Sequence, residues 1–136
     1  MEASTLHSAS ETLLIVDDEP LMTDIFQQFM TRRGFRVLTA ATGQEALATV
    51  TAQGEAIKLV MLDITLPDMS GIEVARRLAE NAPALPVVIA SGHDIDSSLA
   101  LPPNIAEVVK KPYQNRVLAE RIREIIDRAS SSGTRV

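Results

Sequence analysis

Apolar positions follow two alternating rhythms between Glu11 and Ala129. Thr12–Val16 is a continuous run, which predicts a strand buried on both faces. Pro20 then opens a helix with Leu21, Met22, Ile25, Phe26, Phe29 and Met30 on one stripe. Proline suits a first turn because that turn's amides have no partner inside the helix. Gly34 is a natural stop. Phe35–Thr39 reads as a short strand, and Gln44–Thr51 as a modest helix with Ala46, Leu47 and Val50 facing inward. Ile57–Leu62 is a second fully buried strand. Gly71–Asn81 is a helix that presents Ile72, Val74, Ala75 and Leu78 to the core. Pro86–Ala90 and Ile105–Val109 read as two further buried strands. Gln114–Ala129 closes the series as a helix with Val117, Leu118, Ile122, Ile125 and Ile126 on its apolar face.

Strands alternating with helices at this spacing predict right-handed βαβ units and one parallel sheet. Five strands and about five helices follow. The weakest stretch lies between Ser91 and Ile105. Asp94–Leu101 has room for only a couple of turns, and Pro102-Pro103 cannot continue them, so a short or irregular fourth helix is expected. The ends carry no period. Residues 1–10 and 130–136 are expected to be flexible tails around one domain spanning 11–129.

Composition narrows the function. At 136 residues the chain suits a single domain with one substantial core. Aromatics make up only 3% of it, so Leu, Val, Ile, Ala and Met must build that core. A formal charge of −5 argues against nucleic-acid binding through a broad basic face. Without cysteine, disulfide and zinc-thiolate chemistry are excluded. No apolar run reaches the length of a membrane span, and the N-terminus lacks the basic start and apolar centre of a signal peptide. A soluble cytoplasmic protein with neither nucleic-acid nor membrane partners is the expectation.

The chemistry collects at strand ends. Asp17-Asp18 follows the first strand, Asp63 ends the third, Ser91 ends the fourth, and Lys111-Pro112 follows the fifth. In an open parallel sheet these ends share one edge, where ligands bind. Taken singly, each residue has an ordinary explanation. Acidic loop residues favour a helix N-terminus, a strand-ending Asp starts a turn, and Ser91-Gly92 is a plausible turn. Together they place three carboxylates, a hydroxyl and an ammonium side by side. Crowded carboxylates repel one another unless a cation relieves them. Oxygen donors with no His or Cys nearby favour Mg²⁺ or Mn²⁺ over zinc. A lysine there can hold a phosphoryl oxygen. Successive strand residues face opposite ways, so only one of Lys110 and Lys111 can point at the site.

These residues carry a resemblance. Asp17-Asp18-Glu19-Pro20, Leu62-Asp63-Ile64-Thr65-Leu66-Pro67-Asp68-Met69-Ser70-Gly71, Ser91-Gly92 and Lys111-Pro112-Tyr113, in that order, resemble the receiver domain of bacterial two-component response regulators. The likeness covers Glu11 to Arg128. It implies a flavodoxin-like doubly wound (βα)5 fold with strand order 2-1-3-4-5. Asp63 would take a phosphoryl group from the phosphohistidine of a sensor histidine kinase or a histidine phosphotransfer protein. Asp18, Asp63 and the Thr65 carbonyl would ligate Mg²⁺, and Asp17 would act mainly through a bound water. Lys111 and Ser91 would hold the phosphoryl oxygens. Such a protein phosphorylates and dephosphorylates itself at Asp63 without turning over external substrates.

The chain departs from the family pattern in two places. Val108 stands where relatives often carry a switching Tyr or Phe, and the segment before the last strand is short, as in receivers of hybrid histidine kinases. Two alternatives remain at this point. A pseudo-receiver would keep the fold without phosphorylation, which the intact Asp17, Asp18, Asp63 and Lys111 oppose. A haloacid dehalogenase-type phosphatase would need a second acid at Thr65 and room for a cap domain. Few residues follow Ala129, so the protein is expected to act through its own surface. It would serve as a stand-alone receiver, a phosphate shuttle or sink, or part of a larger kinase. His93 lies at the mouth of the site and His7 in a tail.

Overall fold

The computed structural model describes residues 11–96 and 98–134. Five strands and four α-helices alternate along them: β1 (Thr12–Val16), α1 (Pro20–Arg32), β2 (Arg36–Ala40), α2 (Gly43–Gln53), β3 (Ile57–Asp63), α3 (Gly71–Asn81), β4 (Val87–Ser91), β5 (Ile105–Lys110) and α4 (Asn115–Thr134). The strands form one parallel sheet in the order β2-β1-β3-β4-β5. The resemblance implied this order of strands.

The pleat divides the core in two. Leu13, Ile15, Leu59, Met61 and Val88 point to one face, where Phe26 and Met30 of α1 and Leu118, Ile122 and Ile126 of α4 cover them. Leu14, Val16, Val60, Leu62, Val87 and Ile89 point to the other, under Ala46 and Val50 of α2 and Val74, Ala75 and Leu78 of α3. Both faces of β1, β3 and β4 are therefore dry, and every residue of β1 and β4 is buried. That burial is why these strands read as continuous apolar runs rather than alternating ones.

Several expectations change. Segment 92–104 holds no helix among its described residues. Asn104 instead plugs into α3, its buried amide donating to the Ala75 carbonyl at 3.0 Å. A doubly wound fold with four α-helices among the described residues stands where about five were expected. β5 is not buried: it is the sheet edge, its residues alternate between half-buried and exposed, and Val108 is 40% exposed. Val108 shares a register position with Ile89, on the face where no helix covers it. On α1, Thr23, Phe26 and Met30 turn inward while Leu21 (72%) and Ile25 (50%) are exposed. Val117 of α4 is likewise 48% exposed, because Leu118, Ala119, Ile122, Ile125 and Ile126 already fill the buried stripe. That last helix runs past Ala129 to Thr134, into the stretch expected to be a tail. The N-terminal tail expected over residues 1–10, and residues 135–136, lie outside the described residues.

Helix ends follow local chemistry. Pro20 occupies the first turn of α1, and Gly34 at φ 97° ends it, a left-handed conformation that glycine adopts without penalty. At α2 every early amide finds an acceptor. The Gly43 and Gln44 amides donate to Asp68, the Glu45 amide donates to the Thr42 hydroxyl, and the Ala46 amide donates to the Thr42 carbonyl.

The buried stripes make a stability prediction. Ile122→Ala should cost about 3 kcal/mol through lost burial and the cavity it leaves. Leu21→Ala should stay within about 0.5 kcal/mol, as for an exposed site with no special role. Urea unfolding measures both, and equal losses would contradict the assigned helix faces.

Candidate functional site

Register brings the acidic residues together. Val16 pairs with Leu62, so the residues that follow, Asp17 and Asp63, leave neighbouring strands at the same height. The Asp17 amide donates to the Ala40 carbonyl, and the Ile64 amide to the Ala90 carbonyl, which carries the ladder up to the rim. Asp17, Asp18 and Asp63 each offer a carboxylate oxygen within 4.8 Å of the others. Asp17 and Asp63 are buried, and Asp18 is exposed.

Lys111 arrives from the far side of the sheet. Its amide donates to the Ser91 carbonyl at 2.8 Å, which sets its height. A cis peptide bond joins it to Pro112. Its Nζ lies 2.9 Å from Asp63 Oδ2 and 3.4 Å from Asp17 Oδ2. Lys110 points the other way and pairs with Asp94 at 3.0 Å, in solvent. Burial opposes the charge on Lys111. The hydrogen bond to Asp63 and the two nearby carboxylates outweigh it, so its pKa is raised. Asp17 is raised too, chiefly by burial and further by Asp63, although the Glu19 amide and Lys111 act against the shift. One ammonium thus does not fully relieve Asp17.

The donor set fits a hard divalent cation. It offers only oxygens, one carboxylate faces solvent for entry, and the buried Asp17 carries charge its surroundings disfavour. A cleft of about 210 Å³ opens beside it, lined by Asp17, Asp18, Asp24 and Glu45 among others.

The loop from Ile64 to Ser70 is folded back on itself. The Thr65 amide donates to Asp63 Oδ1 at 3.1 Å, Thr65 and Ser70 form a bridge, and the Gly71 amide donates to the Ile64 carbonyl at 2.8 Å. Gly71 is required here by space: a Cβ would collide with the backbone carbonyl of Asp63.

Ser91 is placed differently from the acids. Its hydroxyl donates to the His93 carbonyl at 2.6 Å and accepts from the His93 amide at 3.1 Å. The hydroxyl belongs to its own turn rather than to the acid cluster. His93 itself is exposed. Tyr113 packs edge-on against Phe26 with ring centres 5.9 Å apart, and burial pushes its phenol pKa up.

Two features escaped the reading of the sequence. Thr42 and Glu45 fit a helix-capping spacing that was available to find. The bond from Asp68 to α2 spans 24 to 25 residues and left no local signal.

Comparison with known proteins agrees with this geometry. The family model of the response regulator receiver domain matches residues 13–123. A transcriptional regulatory protein, the CpxR homolog of Haemophilus influenzae, is 35% identical over 91% of this chain and 54% of its own length. The chain spans about half the length of the curated relatives it matches. A CheY-like receiver domain from Methanospirillum hungatei superposes with a TM-score of 0.84 at 29% identity, covering 91% of this chain and 99% of that one. The response regulator TrrA of Thermotoga maritima, solved in complex with Mg²⁺ and BeF, gives a TM-score of 0.75 at 27% identity over 85% of this chain and 98% of that one. A family match along most of the chain, joined to an acidic cluster and a lysine at the carboxyl edge of the sheet, means that the chain belongs to the receiver domains of two-component response regulators.

Proposed function

We propose that Asp63 is the phosphoacceptor of this receiver, taking a phosphoryl group from the phosphohistidine of a sensor histidine kinase or a histidine phosphotransfer protein. The observation that supports this best is the ion pair of Lys111 Nζ with Asp63 Oδ2, at 2.9 Å, beside Asp17 and Asp18. An Asp63 oxygen attacks phosphorus as the N–P bond breaks. The bond pair leaves with the imidazole nitrogen, and the ring, protonated at its other nitrogen, departs neutral. Two anions must meet in that step, so nearby positive charge lowers its barrier.

Lys111 carries part of that charge and turns from the carboxylate to the phosphoryl oxygens. The Thr65 amide, already on Asp63 Oδ1, is a further donor within reach. Asp18, Asp63 and the Thr65 carbonyl would hold Mg²⁺, with Asp17 orienting a bound water. Held there, Mg²⁺ would supply charge neutralisation for the transfer. Ser91 joins only after its hydroxyl leaves the His93 carbonyl. That exchange frees the turn that follows, which makes residues 91–96 the natural switch. Val108 is β-branched and has no ring to swing. The domain is the stretch 11–129, with α4 extending it.

Acetyl phosphate with Mg²⁺ should add one phosphoryl mass to the wild-type protein and none to Asp63→Asn. An undiminished adduct on the variant would move the site elsewhere, and removing Mg²⁺ with EDTA should abolish the reaction. Lys111→Ala should slow adduct formation by about a hundredfold, the scale of losing one preorganised charge-stabilising group. Lys110→Ala should change it by less than about twofold, an exposed ion pair being worth little. A larger effect at Lys110 would put the register wrong by one.

With beryllofluoride and Mg²⁺, NMR should show the largest amide shifts at residues 91–96 and small ones on the exposed side of β5. A still loop beside a moving β5 would overturn the switch.

A further inference from the structure

The metal-binding loop is held at its tip by a residue with no part in the acid cluster. Asp68 Oδ1 accepts from the Gly43 amide at 2.8 Å, and Oδ2 accepts from the Gln44 amide at 2.9 Å. Both carboxylate oxygens are used on two successive amides of one helix. These are the first two amides of α2, so the negative group also sits at the positive end of that helix. The two amides hold the Asp68 carboxyl below the usual carboxylate range.

A second contact closes the same joint. A Cβ at Gly43 would stand 2.6 Å from Met69 Cγ and 2.9 Å from Val74 Cγ2. The start of α2 therefore lies directly against the residue after Asp68 and against α3. The absence of a side chain at Gly43 leaves the space that the Met69 and Val74 side chains fill.

The loop whose tip Asp68 occupies also carries Thr65. Its base is tied by the Thr65–Ser70 bridge and the Gly71-to-Ile64 hydrogen bond. A base alone leaves the loop free to pivot about it. A carboxylate gripping α2 from the tip removes that freedom. The Thr65 amide and carbonyl then keep one orientation over Asp63.

We infer that Asp68 is a positioning residue for the cation site, strapping the β3–α3 loop to α2 so that Thr65 meets Mg²⁺ already oriented. This rests on the reading of Asp63, Asp18 and Thr65 as the metal site. Outer partners that fix a ligand commonly decide how tightly a metal is held.

The experiment is a Mg²⁺ titration of the full chain followed by amide NMR, with no phosphodonor present. Failure of phosphoryl transfer and failure of the strap therefore register in different measurements. Asp68→Ala should weaken Mg²⁺ binding by about tenfold, the lower end of what losing an outer partner costs a metal site. Asp68→Asn keeps an acceptor oxygen and should recover part of the loss. Glu80→Gln removes an exposed charge from α3 and should leave the affinity unchanged. In 0.5 M salt, where charges act over only a few Å, the Asp68→Ala deficit should persist. In metal-free protein the same variant should also shift the amides of Gly43, Gln44 and Thr65 together. A lowered melting temperature with unchanged Mg²⁺ affinity would reduce Asp68 to a helix cap and overturn the inference. So would a deficit that disappears in salt or is matched by Glu80→Gln.

Discussion

Electrostatic crowding at the carboxyl edge of the sheet is the constraint on which the rest of this molecule depends. Two carboxylates are buried there beside a third, and among the described residues Lys111 is the one cation paired with them. Everything near the site serves that imbalance. The parallel ladder sets Asp17 and Asp63 at one height, and the Lys111-to-Ser91 backbone bond sets the lysine level with them. Amides from Glu19 and Thr65 donate to the two buried carboxylates. A site assembled this way carries an excess of negative charge, which a divalent cation would offset.

The same edge connects the chemistry to the surface. Ser91 and Lys111 are joined through the backbone, while the Ser91 side chain is turned into its own loop. In that state the loop is tied down by a hydroxyl that phosphoryl chemistry would recruit. With no helix among the described residues of segment 92–104, Val108 and the edge strand stay partly open to solvent. A change at Ser91 then has a short route to the outside, through a loop with few buried contacts of its own. On the opposite side of the site, Asp68 of the β3–α3 loop accepts from the first two amides of α2. One flank of the acidic cluster is thus bonded to α2, and the other is closed by the Ser91 turn.

The sequence alone was enough for the elements whose burial is complete. β1, β3 and β4 are covered on both faces, so nearly every position must be apolar and the run announces itself. The strand-end acids were legible for a related reason: a charged residue closing an apolar run can lie only at the rim. The faces of helices were less legible. Leu21, Ile25 and Val117 are apolar yet exposed, because an amphipathic pattern tells which residues are able to be buried and not how wide a stripe the sheet can cover. β5 was read as buried for the same reason, since nothing local marks a strand as the edge.

What the chain determined by itself was therefore the order of elements, the sheet they form and the identity of the groups at its rim, through local periodicity and the cost of burying charge. Tertiary structure decided what depends on contacts between distant residues. It chose Lys111 over Lys110 for the acids, turned the Ser91 hydroxyl toward His93, left the described residues of segment 92–104 without a helix and reached from Asp68 across to α2. Each of those outcomes rests on distances between parts of the chain that sequence neighbours do not share, and a pattern with a period of two or three and a half residues carries no record of them.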